Sequence, residues 1–126
     1  MRVIVTGSRK WTDSKAVFDA LWDVFHEHGA FQLIHGACST GAPRYRPGFA
    51  GASASQAGCT EKQHPPDWEK WRLRGNVKAA GPERNARMVE AGADLVLAFP
   101  LPEGTGTQGT IKLAKAAGIK VKEIES

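Results

Sequence analysis

The order of apolar segments constrains this chain more than any other feature of its sequence. Short apolar runs, such as RVIVTG near the start and DLVLAFP from residue 94, alternate with stretches whose apolar residues recur at helical spacing. Strands that alternate with helices predict a parallel sheet covered on both faces. Because parallel crossovers are right-handed, we expect an α/β fold: Rossmann-like and doubly wound, with a mainly parallel sheet of about five strands.

Local signals place the individual elements. Asp13 can cap a first helix that Gly29 ends, and Pro82 marks the first turn of a helix that ends near Gly92. A further helix is predicted only from Ile111 to Ala117, because the residues before it are rich in glycine. The predicted strands are residues 3–5, 31–34, 59–64 and 94–100, with an alternating edge strand at 119–124.

Composition limits the function classes. The 126 residues are 41% hydrophobic and fit a single domain, 1–126, with a real core. No apolar stretch approaches the ~20 residues of a membrane helix, and MRVIVTG lacks a signal peptide's apolar region, so we expect a cytoplasmic protein with no membrane partner. Cys38 and Cys59 suggest reduced thiols, and no metal or cofactor is expected. The net charge of +4 is scattered, which favours a solvated surface, with a small anion or nucleic acid as alternatives.

Three loops combine glycine with serine or threonine at the points where strands end. TGSRKW follows the first strand, HGACSTGA the second, and PEGTGTQGT the strand before the last helix. The carboxyl ends of parallel strands share one edge, where ligands bind. Glycine lets backbone N–H groups approach a phosphate, hydroxyl groups add donors, and helix N-termini add positive charge. The alternative is that these loops only turn the chain sharply. The predicted ligand-binding residues in the loops are Gly7, Ser8, Arg9, Gly36, Ala37, Thr40, Gly41, Pro100, Gly104, Thr105, Gly106 and Thr107.

AAGPERNARM, residues 79–88, adds a guanidinium to this edge. Gly81 and Pro82 are predicted to begin a helix whose first turn carries Arg84 and Asn85. A cation near a helix N-terminus opposes the helix dipole, so a bound anion would relieve the conflict. We therefore add Gly81, Arg84 and Asn85 to the predicted ligand contacts. In the alternative interpretation, Arg84 pairs at the surface with a neighbouring glutamate, Glu83 or Glu61.

PPDWEKW, residues 65–71, follows the third predicted strand. Asp67 can accept hydrogen bonds from a ribose or base, or it can cap the next helix. Trp68 or Trp71 can stack on a base, although Trp68 is expected rather in the core. His35 ends a strand at the same edge, where we expect it to hold the loop by hydrogen bonds rather than to act as an acid or base.

Taken together, these motifs resemble the SLOG superfamily, the Rossmann-like group that contains the LOG phosphoribohydrolases and DprA-type proteins. More narrowly, the chain is similar to the YspA/cpYpsA-related SLOG family of bacteria and phages. The resemblance rests on VTGSRKW, LIHGACSTGA, PPDWEKW, AGPERNARM, GADLVLAFP, GTGT and AAGIKV, in the expected order along nearly the whole chain. It implies a pocket for a nucleotide or a nucleotide-derived small molecule.

One departure from the LOG enzymes bears on catalysis. Their late loop resembles PGGxGTxxE, whereas PEGTGTQGT has Glu103 in the place of the first glycine and Thr110 in the place of the glutamate. Arg84 matches the arginine that works with that glutamate on an N-glycosidic bond. The favoured function is therefore nucleotide binding, as a sensor or accessory protein. The alternatives are an N-glycosidic hydrolase, with Arg84, Asp67, Glu83 and Glu103 as catalytic candidates, and DprA-like nucleic-acid binding.

The segment 42–58, APRYRPGFAGASASQAG, departs from the family's usual acidic residue and alanine-rich helix. Its prolines and glycines predict a loop, with at most a short helix between Ala50 and Ala57. One flank of the sheet would then be thinly covered, which makes a homodimer an expectation. The segment resembles a locally altered reading frame between intact flanks, an idea that resequencing the gene would test.

Overall fold

A computed structural model of the chain describes residues 1–7, 13–35, 59–100 and 105–124. These residues form five strands, four α-helices and a short 3-10 helix at Val77–Ala79. The strands are β1 (Arg2–Gly7), β2 (Gln32–His35), β3 (Thr60–Gln63), β4 (Leu95–Phe99) and β5 (Lys120–Glu123). The helices are α1 (Ser14–His28), α2 (Trp68–Leu73), α3 (Ala80–Glu90) and α4 (Thr105–Ala116).

The strands form one sheet in the order β3-β2-β1-β4-β5, and every neighbouring pair is parallel. Ile4 in the central strand is in register with Ile34 of β2 and Val96 of β4. The chain adds strands first on one side of β1 and then on the other, so the order reverses between β1 and β4. This is the topological switch point of a Rossmann-like sheet, and it confirms the predicted fold class.

The alternation of side chains along the strands divides the core into two faces. On one face, Val3 and Val5 of β1 belong to the same buried cluster as Val17 and Leu21 of α1. On the other face, Ile4 clusters with Met88 of α3 and Ala114 of α4. We call these the α1 face and the α3/α4 face.

Helix α1 follows its sequence signals closely. The Asp13 carboxylate (Oδ1) accepts a hydrogen bond from the backbone N–H of Ala16 at 3.1 Å, which is the predicted cap. Gly29 follows the helix with a φ of 81°, a left-handed value that glycine adopts without strain. The apolar stripe of α1 covers its face of the sheet, so the predicted helix is confirmed.

Two helices begin earlier than predicted. Helix α4 begins at Thr105 rather than Ile111, although it then includes Gly106 and Gly109. Burial of Thr107, Thr110 and Ile111 in its first turns outweighs the ~1 kcal/mol that each interior glycine costs.

Helix α3 begins at Ala80, directly after the 3-10 helix, so Arg84 lies in its second turn and not in the first. Pro82 is tolerated because the first four N–H groups of a helix have no intrahelical acceptor.

The predicted segment 42–58 lies outside the described residues. Edge strand β5 has the expected mixture of exposed and partly buried residues. Among the residues described, no helix has both the length and the apolar character that a membrane crossing requires.

Candidate functional site

The predicted site residues that the structure describes lie at or near the carboxyl edge of the sheet. Gly7 ends β1 in register with Phe99, the last residue of β4, and Pro100 follows. Helices α3 and α4 connect to the amino ends of β4 and β5, so each runs antiparallel to the strands. Their N-terminal turns, with Gly81 and Thr107, therefore lie at this same edge.

Five of the six buried polar residues that the structure describes, all but His35, form what we call the polar layer. A folded protein rarely buries such side chains without a hydrogen-bonding role, because an unsatisfied polar group in the interior is costly. Two of them, Arg84 and Asn85, lie on α3, two on α4 and one on β1. The members of the polar layer are Thr6, Arg84, Asn85, Thr107 and Thr110.

Backbone geometry explains why these residues lie together. Met88, Ala114 and Ile4 belong to one apolar cluster. Arg84 lies on the same side of α3 as Met88, one helical turn (about 5.4 Å) nearer the carboxyl edge. Thr110 lies one turn nearer that edge than Ala114, on the same side of α4. Along β1, Thr6 follows Ile4 on the same face, about 6.6 Å further on. The polar layer thus lies above the apolar cluster, at the end of the α3/α4 face.

Arg84 is the charged member of this layer. Only 7% of its surface is exposed, and its Nε donates a hydrogen bond to Oδ1 of Asn85 at 2.7 Å. That bond fixes the plane of the guanidinium, which carries donors suited to a phosphate or carboxylate. Arg84 is buried and so does not form the alternative pair at the surface, and Glu83 pairs with Arg87. The side chain of Glu61, the other partner of that alternative, lies outside the described residues.

Glu83 instead binds Arg87, one turn further along α3. Arg87 Nε lies 3.0 and 3.1 Å from the two carboxylate oxygens of Glu83. A second guanidinium nitrogen, Nη2, donates to the carbonyl oxygen of Pro65 at 3.2 Å. Arg87 therefore connects α3 to the segment that follows β3, and Glu83 holds Arg87 in place.

Asp67 caps α2, as one of its two predicted roles requires. Its Oδ1 accepts a hydrogen bond from the backbone N–H of Lys70 at 3.1 Å. The expectation of Trp68 in the core is wrong, since the side chain is 48% exposed. Its first-turn position on a short helix that buries none of its residues explains the difference. Trp71 is half-buried, with Lys70 Nζ 5.2 Å and the Arg74 guanidinium 5.4 Å from the ring centre.

His64, directly after β3, was missed by sequence reasoning. Burial, followed by the positive charges of Lys62 and Arg87, lowers the pKa of its imidazole below the usual 6.5. Its backbone N–H donates to the carbonyl oxygen of His35, which is itself fully buried at the end of β2. Position alone, one residue beyond a predicted strand at the ligand edge, was the signal that could have found it.

A second missed signal lies in the late loop. Residues 104–109, GTGTQG, have the G-x-G-x-x-G spacing, after strand β4 and at the start of helix α4. That spacing in a strand-to-helix turn is typical of phosphate binding. Thr105 and Gly106 lie in the first turn of α4. The other predicted loop residues, Ser8, Arg9, Gly36, Ala37, Thr40, Gly41, Glu103 and Gly104, lie outside the described residues.

The strand order and the edge site together define a Rossmann-like α/β protein. Within that class, the sequence profile of the YspA, cpYpsA-related SLOG family matches residues 1–71, and the chain belongs to this family. The Gene 61 protein of Mycobacterium phage D29 is 40% identical over 122 residues, which cover 95% of this chain and 93% of the phage protein. The predicted SLOG membership is therefore confirmed.

Solved structures share the fold at much lower identity. The C-terminal domain of a hydrogenase from Pyrococcus furiosus has a TM-score of 0.52 and 15% identity, over 97% of this chain and 89% of that domain. A second crystal structure from the same hydrogenase gives 0.50 and 13%, over 98% and 90%. At these identities the likeness concerns the α/β fold alone.

Proposed function

We propose that this SLOG-family protein binds a nucleotide or nucleotide-derived ligand at the carboxyl edge of its sheet, as a sensor or accessory protein of a bacterium or phage. The observation that carries the proposal is the buried guanidinium of Arg84 in the polar layer. The guanidinium carries a planar set of N–H donors that suits a phosphate, and Asn85 fixes its plane at the carboxyl edge.

The surrounding residues have complementary roles in this proposal. Arg84 binds the phosphate, and Asn85 holds the guanidinium in the required plane. The N-terminal turn of α4 supplies backbone N–H groups and positive potential at the same edge. Gly7 and Pro100 flank the switch point between β1 and β4, the place where doubly wound sheets bind their ligands.

The contacts of two candidate catalytic carboxylates favour ligand binding over hydrolysis as the function. Asp67 caps α2 and Glu83 binds Arg87, so both of these predicted catalytic candidates already have structural roles. Thr110, at the position of the LOG glutamate, is fully buried and carries no charge. Cleavage of an N-glycosidic bond requires a positioned acid or base. Free base released from AMP by the wild-type protein, and not by Arg84→Gln, would overturn this choice.

A specific surface favours nucleic-acid binding as a second candidate function. Helix α2 buries none of its six residues and presents Trp68 to solvent. Four basic residues and a single acidic one lie between positions 69 and 78, which accounts for much of the net positive charge. Basic residues beside an exposed aromatic ring are typical of single-strand binding. Oligonucleotide binding that weakens steeply with salt, and that Trp68→Ala reduces, would support this candidate.

Thermal unfolding with a panel of nucleotides tests the leading proposal. A ligand present at 100 times its dissociation constant stabilises the native state by about 2.7 kcal/mol. We expect nucleoside phosphates to raise Tm for the wild-type protein and to raise it much less for Arg84→Gln.

Lys115→Gln is the matched control for Arg84→Gln. It removes the same charge from the exposed last turn of α4, at the end of that helix away from the carboxyl edge of the sheet. The Lys115→Gln protein should therefore respond to nucleotides like wild type. An unchanged Tm with every nucleotide, or a full response from Arg84→Gln, would contradict the proposal.

A further inference from the structure

Two nitrogen atoms beside the polar layer are buried without a partner. Within the part of the chain that the structure describes, His64 Nε2 and Trp71 Nε1 are shielded from solvent and make no hydrogen bond. Native proteins pair nearly all buried polar atoms, and the exceptions often mark a place for a bound group. Both atoms belong to one eight-residue segment, 64–71, which follows β3 at the carboxyl edge.

Two contacts join the start of this segment to the rest of the fold, and two more lie within it. The backbone N–H of His64 donates to the His35 carbonyl oxygen at 2.8 Å, and Arg87 Nη2 donates to the Pro65 carbonyl oxygen at 3.2 Å. Asp67 caps α2, and Lys70 lies over the Trp71 ring. The first two contacts hold the start of the segment on β2 and α3, and the last two order α2 around Asp67 and Trp71, yet none of them gives either nitrogen a partner.

The segment lies within reach of a ligand held by Arg84. Strand β3 is two strands from β1, about 10 Å across the sheet at the usual spacing. Arg87, which binds Pro65, is three residues from Arg84 and so is its neighbour along α3. A nucleotide with its phosphate at Arg84 can therefore extend over the ends of β2 and β3.

We propose that His64 and Trp71 bind the non-phosphate part of the ligand, its base or sugar, through hydrogen bonds to His64 Nε2 and Trp71 Nε1. This inference rests on the proposed nucleotide binding and assigns its specificity to residues that no comparison identifies. The indole N–H can only donate, so the ligand must present an acceptor to Trp71. Burial and nearby cations lower the pKa of His64, so the imidazole is neutral near pH 7 and its two nitrogens offer one donor and one acceptor.

Near-isosteric variants test the inference. His64→Phe and Trp71→Phe keep an aromatic ring and remove the unpartnered nitrogen. Removing a buried polar atom that has no partner should leave the Tm of the ligand-free protein unchanged or raised. The same variants should bind the most stabilising nucleotide of the panel about three- to ten-fold more weakly, the equivalent of one lost hydrogen bond.

Inorganic pyrophosphate separates this inference from the proposed function. Both variants should respond to pyrophosphate like wild type, because the Arg84 end of the site is untouched. Trp22→Phe and His28→Phe, at α1, are controls that should leave every ligand response unchanged.

Each outcome of this experiment has one meaning. If both variants respond to the nucleotide like wild type, the inference is wrong while the proposed function stands. A lowered Tm of the ligand-free variants would then mean that ordered water satisfies the two nitrogens. If no nucleotide stabilises the wild-type protein, the proposed function fails and this inference fails with it.

Discussion

The two faces of the sheet are built differently. The described part of the α1 face is apolar from Val3 and Leu33 to Phe99 at the carboxyl edge, except for the buried His35, which lies two residues beyond Leu33 on β2. The α3/α4 face has a smaller apolar cluster around Ile4, which gives way to the polar layer at the edge. Apolar burial supplies most of the favourable free energy of folding, whereas buried polar groups contribute little net stability. The difference indicates that α1 mainly stabilises the fold and that α3 and α4 present the site.

Among the variants considered, Leu21→Ala should have the largest effect on stability. If it also altered nucleotide binding, the division of roles between the two faces would be wrong. Leu21 is fully buried in the α1 face. Its truncation should lower the free energy of unfolding by about 2–5 kcal/mol, since it removes apolar contact and leaves a cavity. Urea unfolding measures the loss, and nucleotide-induced shifts in Tm, each taken relative to the variant's own ligand-free value, should match wild type.

Asn85→Ala applies the same logic to the α3/α4 face with a smaller effect on stability. It removes the acceptor for Arg84 Nε inside the polar layer. We expect a loss of about 1–3 kcal/mol on unfolding, because a buried donor loses its partner. Unlike Leu21→Ala, it should also weaken nucleotide binding, because the guanidinium is no longer held in one plane. A binding response equal to wild type would show that Asn85 has no part in orienting Arg84.

Most of the fold could be predicted because its signals are local and mutually consistent. The caps of α1, the apolar run of β4 and the alternation of strands with helices each indicate the same parallel sheet. The starts of α3 and α4 could not be predicted, because glycine and proline propensities conflict there with tertiary burial. The homodimer, the single domain and the cytoplasmic location stay predictions.

The candidate site could be predicted only as a set of residue types at one edge. Arg84 was identified from its motif, but its burial and its bond to Asn85 depend on the packing of α3. Glu83 and Asp67 looked equally suited to catalysis, because the sequence leaves open which of several local partners each carboxylate takes. The structure shows that Glu83 binds Arg87 one turn along α3 and that Asp67 caps α2. His64 has no motif, so its importance depends entirely on what surrounds it.

The two aspartate caps can be compared directly, because removing either one should cost about 1 kcal/mol of stability. Asp13→Ala and Asp67→Ala each remove one side-chain acceptor at the start of a helix, α1 and α2 respectively. Each should cost about 0.5–2 kcal/mol in urea unfolding. Only Asp67→Ala should weaken nucleotide binding, since it loosens the segment that carries His64 and Trp71. Equal binding by the two variants would mean that this segment is not part of the site.

The smallest expected effect is a pH dependence located beside the α3/α4 face. Burial lowers the pKa of folded His64 below 6.5, and the positive charges of Lys62, Arg87, Arg2 and Arg84 lower it further. Just below pH 6.5 the unfolded chain therefore binds a proton that the folded protein excludes, so stability falls as the pH falls and is fully present above that range. Tm measured from pH 8 to pH 5 should fall less for His64→Phe than for wild type. Added salt should reduce the difference between wild type and His64→Phe, because it screens the cationic share of the effect. If Tm changed with pH in the same way for wild type and His64→Phe, the surroundings of His64 would not distinguish its two protonation states. The cationic environment proposed for this position beside the α3/α4 face would then be wrong.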